Sequence, residues 1–191
     1  MAPEVRQFPP EFAAALDSVR AVTVRPEVSL VEASAPAKLA PYAAAVAATV
    51  EADTVELARG RLIVLYDPAG HEAWAGCLRL VGYIRTELEA ELVTDPMLPE
   101  VAWGWLADSL REHGVGLTAG SGTVTRVQSQ GFGELAEDAP GEPEGELEIR
   151  ASWCPVGDVT AHVQAWLDAL CTAGGLPPTT PGVRALHTRI R

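Results

Sequence analysis

Three places in the chain carry residue types that do chemistry. Trp153-Cys154-Pro155 begins like the W-C-G-P-C site of thiol–disulfide exchange. A thiol at a strand-to-helix junction also has its pKa lowered by the helix N-terminus. The resolving cysteine is missing, however: Val156 and Gly157 follow, and Cys171 is a helix away. Cys154 therefore also reads as a small buried hydrophobe closing a strand. His71-Glu72 follows a turn, and a histidine and a carboxylate on a loop can act as acid and base. HExxH is absent, because Ala75 stands where the second histidine would be. A pocket built from His71, Trp74 and Cys154 is the arrangement an enzyme or ligand-binding domain would need, with an exposed turn histidine as the plainer reading. The third place is a set of carboxylates, Glu87, Glu89, Glu91, Glu146 and Glu148, on two segments that both read as strands. On one sheet face they would offer an acidic surface to a basic partner, or a divalent cation site. Otherwise Arg85 and Arg150 offset them on a solvated face.

The remaining signals exclude more than they include. Three cysteines and four histidines never fall at metal-ligand spacing, so no metal and no cofactor is expected. Gly120-Ser121-Gly122 and Gly131-Phe132-Gly133 lack the fingerprints of a nucleotide loop and read as strand bends. No GxSxG occurs. The formal net charge is −12, and no run rich in Lys or Arg overrides it, which speaks against direct nucleic-acid binding. No apolar run approaches ~20 residues, so no membrane span is expected. The N-terminus lacks a basic stretch before an apolar core and does not read as a secretory signal. The three scattered cysteines argue for the reducing cytoplasm and against a disulfide framework.

These residues must be positioned by a chain of 191 residues, which suits a single domain. We expect one α+β domain over 1–178, with 1–40 as an N-terminal extension of one helix and one strand and 179–191 as a flexible basic tail. Pro9–Val22 reads as a helix with Phe12, Leu16 and Val19 on one face and Phe8 as a staple. Val28–Ala33 is a strand. Pro41–Ala52 reads as a second helix, because Tyr42, Val46 and Val50 align at helical spacing. Thr54–Leu57 and Leu62–Tyr66 are strand material. Asp67-Pro68-Ala69-Gly70 is a turn, after which Ala73–Val93 returns as a long strand with a bend near Gly76 or Gly82. Asp95 would cap a helix running to His113, with Gly114 as its stop. Val115–Phe132 is a polar strand region, Gly133–Gly145 a mobile acidic loop, and Glu146–Trp153 an alternating strand. Asp158 caps the last helix, whose edge carries His162. The order α-β-α-β-β-β-α-β-β-α predicts an antiparallel sheet with helices mainly on one face. That order is analogous to the small acidic chaperones of secretion systems and to YbjN-like domains.

A pseudo-repeat runs through this order: Glu87-Leu88-Glu89 with Pro96 and Trp105-Leu106 match Glu146-Leu147-Glu148 with Pro155 and Trp166-Leu167. It predicts two strand–proline–helix units, with Trp105 and Trp166 as paired core anchors. Trp103 falls at the edge of its helix's apolar stripe and is the aromatic most open to a partner.

Asp67-Pro68, Gly70-His71-Glu72-Ala73-Trp74, the DP-L…WGWL helix and ELEIRASW together resemble the actinobacterial family DUF3000, from about Pro9 to Pro178. The resemblance implies no assigned activity, cofactor or catalytic residue. It implies a setting beside a ribonuclease D-like gene, and so a role accessory to RNA processing through a protein partner. The expected function is a non-catalytic, cytosolic protein-binding or adaptor module. Its interaction surface would be Trp103 with Tyr83, Arg85, Glu87, Glu89, Glu91, Glu146 and Glu148, and its partner another protein or a second copy of the chain. The alternative is a small enzyme or ligand-binding domain around His71, Trp74 and Cys154.

Overall fold

The computed structural model describes residues 8–74, 76–133 and 144–178. The acidic loop expected at 133–145 and the tail expected at 179–191 lie almost wholly outside them. The chain runs as α1 (Pro10–Arg20), β1 (Val28–Ala33), β2 (Tyr42–Ala52), β3 (Val55–Tyr66), β4 (Leu78–Leu88), α2 (Ala90–Thr94), α3 (Leu98–Glu112), β5 (Thr118–Ser129), β6 (Glu144–Cys154) and α4 (Val159–Ala173). The strands form one antiparallel-paired sheet in the order β1-β2-β3-β4-β6-β5, so the fold is α+β as the alternating patterns require. β6 is inserted last, between β4 and the edge strand β5.

Two segments differ in type from the sequence reading, 42–52 and 90–94. Residues 42–52 are strand β2, not a helix. Tyr42, Val46 and Val50 do share a face, but a spacing of four is even and satisfies a period of two as well as 3.6. β2 is an interior strand paired on both sides, where alanines fit close neighbours. The two strand fragments expected at 54–57 and 62–66 are one strand, β3. It is joined to β2 by a tight turn at Asp53 (φ 50°) and Thr54 (φ 71°). Positive φ at both central residues is the type I′ geometry that matches strand twist.

The turn after β3 is as its residues dictate. Gly70 N–H donates to Asp67 C=O at 3.0 Å with Gly70 at φ 74°, and the Asp67 side chain accepts from Ala69 N–H at 3.0 Å. β4 is shorter than its alternation suggests: the chain leaves the sheet after Leu88, and Glu91 and Leu92 belong to α2. Gly82 sits within the strand and not at a bend.

The pseudo-repeat holds only as an outline: both copies run strand, proline and Trp-bearing helix, but the matched residues sit at different places in their strands and α2 interrupts the first copy. Glu87 is the last residue but one of β4, whereas Glu146 stands near the start of β6, and the two are cross-strand partners. Segment 89–94 is loop and helix in the first copy; 148–153 is strand in the second. The paired anchors separate likewise, since Trp166 is fully buried and Trp105 only half-buried.

Among the described residues, the four helices pack on one face of the sheet. Phe8 and Phe12 meet edge to face at 5.3 Å, and Phe12 stacks on Tyr66. The Tyr66 hydroxyl donates to Glu11, and that bond, with burial, pushes its pKa up to about 12. α4 lies across the middle of the sheet, where Trp153 and Trp166 are both fully buried. Two strand glycines make their seat. A Cβ on Gly60 would stand 2.7 Å from the Trp166 ring, and one on Gly82 would stand 3.2 Å from both indoles. Asp158 caps α4 as expected, accepting from Thr160 N–H at 2.9 Å. His162 is a core residue, not a helix-edge one: it is 0% exposed. Its Nδ1 accepts from Trp153 Nε1 at 3.1 Å, and its Nε2 lies 3.2 Å from Val156 C=O. Indole N–H only donates, so the ring is neutral with its proton on Nε2, and burial lowers its pKa.

Candidate functional site

The sheet face away from the helices carries part of the acidic set. Tyr83 Oη donates to Glu148 at 2.8 Å, Arg150 bonds the other Glu148 oxygen at 2.8 Å, and Arg85 pairs with Glu146. The Arg150 guanidinium lies 5.6 Å from the centre of the Tyr83 ring. The Tyr83 hydroxyl and Arg150 hold the Glu148 carboxyl below its usual range, while burial and Glu148 push Tyr83 up. Glu87 is exposed opposite Glu146. Glu89 follows the strand and Glu91 rides on α2, so these two are separated from the rest. The face is a cross-strand ion-pair network with its charges largely matched.

His71 and Trp74 are brought together, their rings stacked at 5.0 Å and 23° in the β3–β4 loop. His71 Nδ1 accepts from Ala73 N–H at 3.2 Å. Cys154 is buried at the end of β6, where Arg79 Nη1 lies 3.5 Å from its sulfur. Cys154 is four residues ahead of the Asp158 cap, so α4 does not begin at the thiol. Arg79 is itself buried, and it also bonds Ser152 Oγ at 2.7 Å and Ala119 C=O at 3.3 Å.

Trp103 is half-buried, and its ring lies over Gly122 of β5. A Cβ at 122 would collide with that ring and with the backbone oxygen of Arg150. Gly122→Ala is therefore expected to destabilise the fold by about 1–3 kcal/mol. Gly104→Ala, on α3 with nothing within 4 Å, is expected to stabilise it by about 0.4–1 kcal/mol. Thermal unfolding of the two variants measures both, and equal effects would contradict the seat.

On its outer side α3 carries a second apolar ridge. Met97, Val101 and Trp105 follow at i, i+4 and i+8; Met97 and Val101 are 54% and 49% exposed. Leu92 of α2 is 50% exposed nearby in sequence. Exposed acids accompany them: Glu91, Asp95, Glu100 and Asp108, the last paired with Arg111.

A cavity of about 510 Å³ opens between the C-terminal end of α3 and α4, lined by Arg25, Ser109, Glu112, His113, Asp168 and Thr172 among others. His113 Nε2 lies 2.7 Å from Asp168 Oδ2, and Gln164 approaches the other carboxylate oxygen at 3.5 Å. Cys171 borders it, its thiol pushed up to about 11 by burial. Sequence reading placed His113 at the end of a helix and did not find this dyad. The two residues are 55 positions apart, and only the packing of α3 on α4 joins them. The one available sign was Asp168 interrupting the apolar run of the last helix. Among the described residues, no group of three or more His, Cys, Asp or Glu side chains is arranged to hold a metal ion.

A family model described as a protein of unknown function, DUF3000, matches residues 8–184. The chain belongs to the DUF3000 family. No curated protein and no solved structure matches it. Among the described residues of this DUF3000 member, no helix is long and apolar enough to cross a membrane.

Proposed function

We propose that the protein is a non-catalytic protein-binding module, and that it docks its partner on the outer ridge of α3. The observation that carries this is the exposure of Met97 and Val101, with the half-buried Trp105 one turn further on, beside a stripe, Leu98-Ala102-Leu106-Leu110, that is already spent on the core. Apolar side chains left in water at that spacing fit the apolar face of a helix. The carboxylates of Glu91, Asp95 and Glu100 choose its flanks: a partner helix with basic residues beside its apolar stripe. Trp103, the aromatic favoured from sequence, supports the ridge from its seat on Gly122, and Trp105 supplies the aromatic anchor. Tyr83, Arg85, Glu87, Glu146 and Glu148 form a separate polar surface on the opposite side of the sheet. An acidic adaptor of this kind serves an RNA-processing enzyme by touching the enzyme and not the RNA, in keeping with the net charge of −12.

Val101→Glu tests the reading. It puts a charge in the middle of the ridge without entering the core, so its melting temperature stays within about 2 °C of wild type, a surface-sized effect. The partner recovered with wild-type chain from native cells is expected to be lost at least tenfold. Equal recovery by both chains would overturn the ridge, and a dimer abolished by the same change would make the partner a second copy.

A further inference from the structure

We propose that the cavity between the ends of α3 and α4 binds a small primary ammonium compound, an alkylamine or amino alcohol. Its volume of about 510 Å³ suits a small molecule. Ser109 lines it while only 7% exposed, which places a hydroxyl in its wall. His113 directs Nε2 at Asp168, so in the neutral ring the proton sits on Nε2 and Nδ1 is left as a lone-pair acceptor. Glu112 adds an exposed carboxylate. The cationic donor at this wall is already engaged: Arg25 gives Nη1 to Pro177 C=O at 2.8 Å and lies 3.5 Å from Glu27 through Nε. What the cavity leaves open is therefore a set of acceptors. An ammonium group brings three donors and a positive charge to meet them; a carboxylate or phosphate would face Glu112 and Asp168. Leu176 and Pro177 provide an apolar wall for the methylene chain of such a ligand.

The test is a two-dimensional amide NMR titration of the full chain at fixed pH and ionic strength, with ethanolamine and 1,4-diaminobutane against acetate and inorganic phosphate. Saturable shifts centred on Ser109, His113 and Asp168 are expected with at least one amine and with neither anion. Glu112→Gln, a change at an exposed position, is expected to weaken the amine at least tenfold with the melting temperature unchanged. Asp168→Asn repeats the test where it folds. The proposal is overturned by three results: no saturable shift with either amine, shifts scattered over the acidic surface, or binding of acetate or phosphate at this cavity.

Discussion

Trp166→Ala will cost about 3–5 kcal/mol of stability, the range for removing a large aromatic from a packed core. In a chain of this size that lowers Tm by on the order of 6–20 °C. The indole is 0% exposed and fills a seat that two strand glycines, Gly60 and Gly82, leave open under α4, so neighbouring backbone cannot collapse into the gap. Trp166 Nε1 is buried with no hydrogen-bond partner among the described residues. Trp166→Phe therefore sheds an unsatisfied donor along with a few ring atoms, and it is expected to recover most of the loss. Trp153→Phe is expected to cost about 1–3 kcal/mol more than Trp166→Phe, because it strands the His162 Nδ1 acceptor that Trp153 now satisfies. Urea unfolding of the three variants gives this ordering directly. A Trp166→Phe chain as weak as Trp166→Ala would refute the seat.

The second large effect is acid instability centred on His162. Its folded pKa is lowered by burial, so the unfolded chain binds the proton more readily than the folded one. Stability is full above the unfolded value of about 6.5 and declines as pH falls from there toward the folded pKa. Below that point this contribution is constant. Protonation also gives Nδ1 a hydrogen that points at the Trp153 N–H, so the core bond breaks. His162→Gln has no titration in this range and is expected to flatten the stability profile just below about pH 6.5, apart from the slope that carboxylates contribute. An unchanged profile in the variant would show that His162 is not the group responsible.

How much of this was legible beforehand follows from which signals were local. The Asp67–Gly70 turn, the Asp158 cap, the Phe8–Phe12 contact and the inward alternation of Leu147, Ile149, Ala151 and Trp153 are short-range chemistry, and each appears where its residues put it. Segment 42–52 misled because its apolar spacing fits both periods, and the choice was made by β1 and β3 pairing on either side. The alternation of β4 ran on past Leu88 in sequence, yet the chain turns into α2 there, leaving Glu89 and Glu91 off the sheet face they were expected to share. The repeat misled in its unlike middle: after the matched Glu-Leu-Glu, 90–94 form α2 whereas 149–153 stay in β6. The His113–Asp168 dyad had no local signature at all, since it exists only through the packing of one helix on another. Trp103 and Trp105 are both half-buried and both pack against the core, and the seat of Trp103 on Gly122, a strand residue distant in sequence, had no local signature.

The most direct measurement for the docking ridge is photo-crosslinking in the native cell, with p-benzoylphenylalanine in place of Val101 in one strain and of Arg85 in another. A partner on the outer side of α3 gives a discrete adduct from position 101 and none from 85, on a peptide with apolar residues at helical spacing and basic residues beside them. An adduct from position 85 alone, or none from 101, would contradict the ridge as the binding surface.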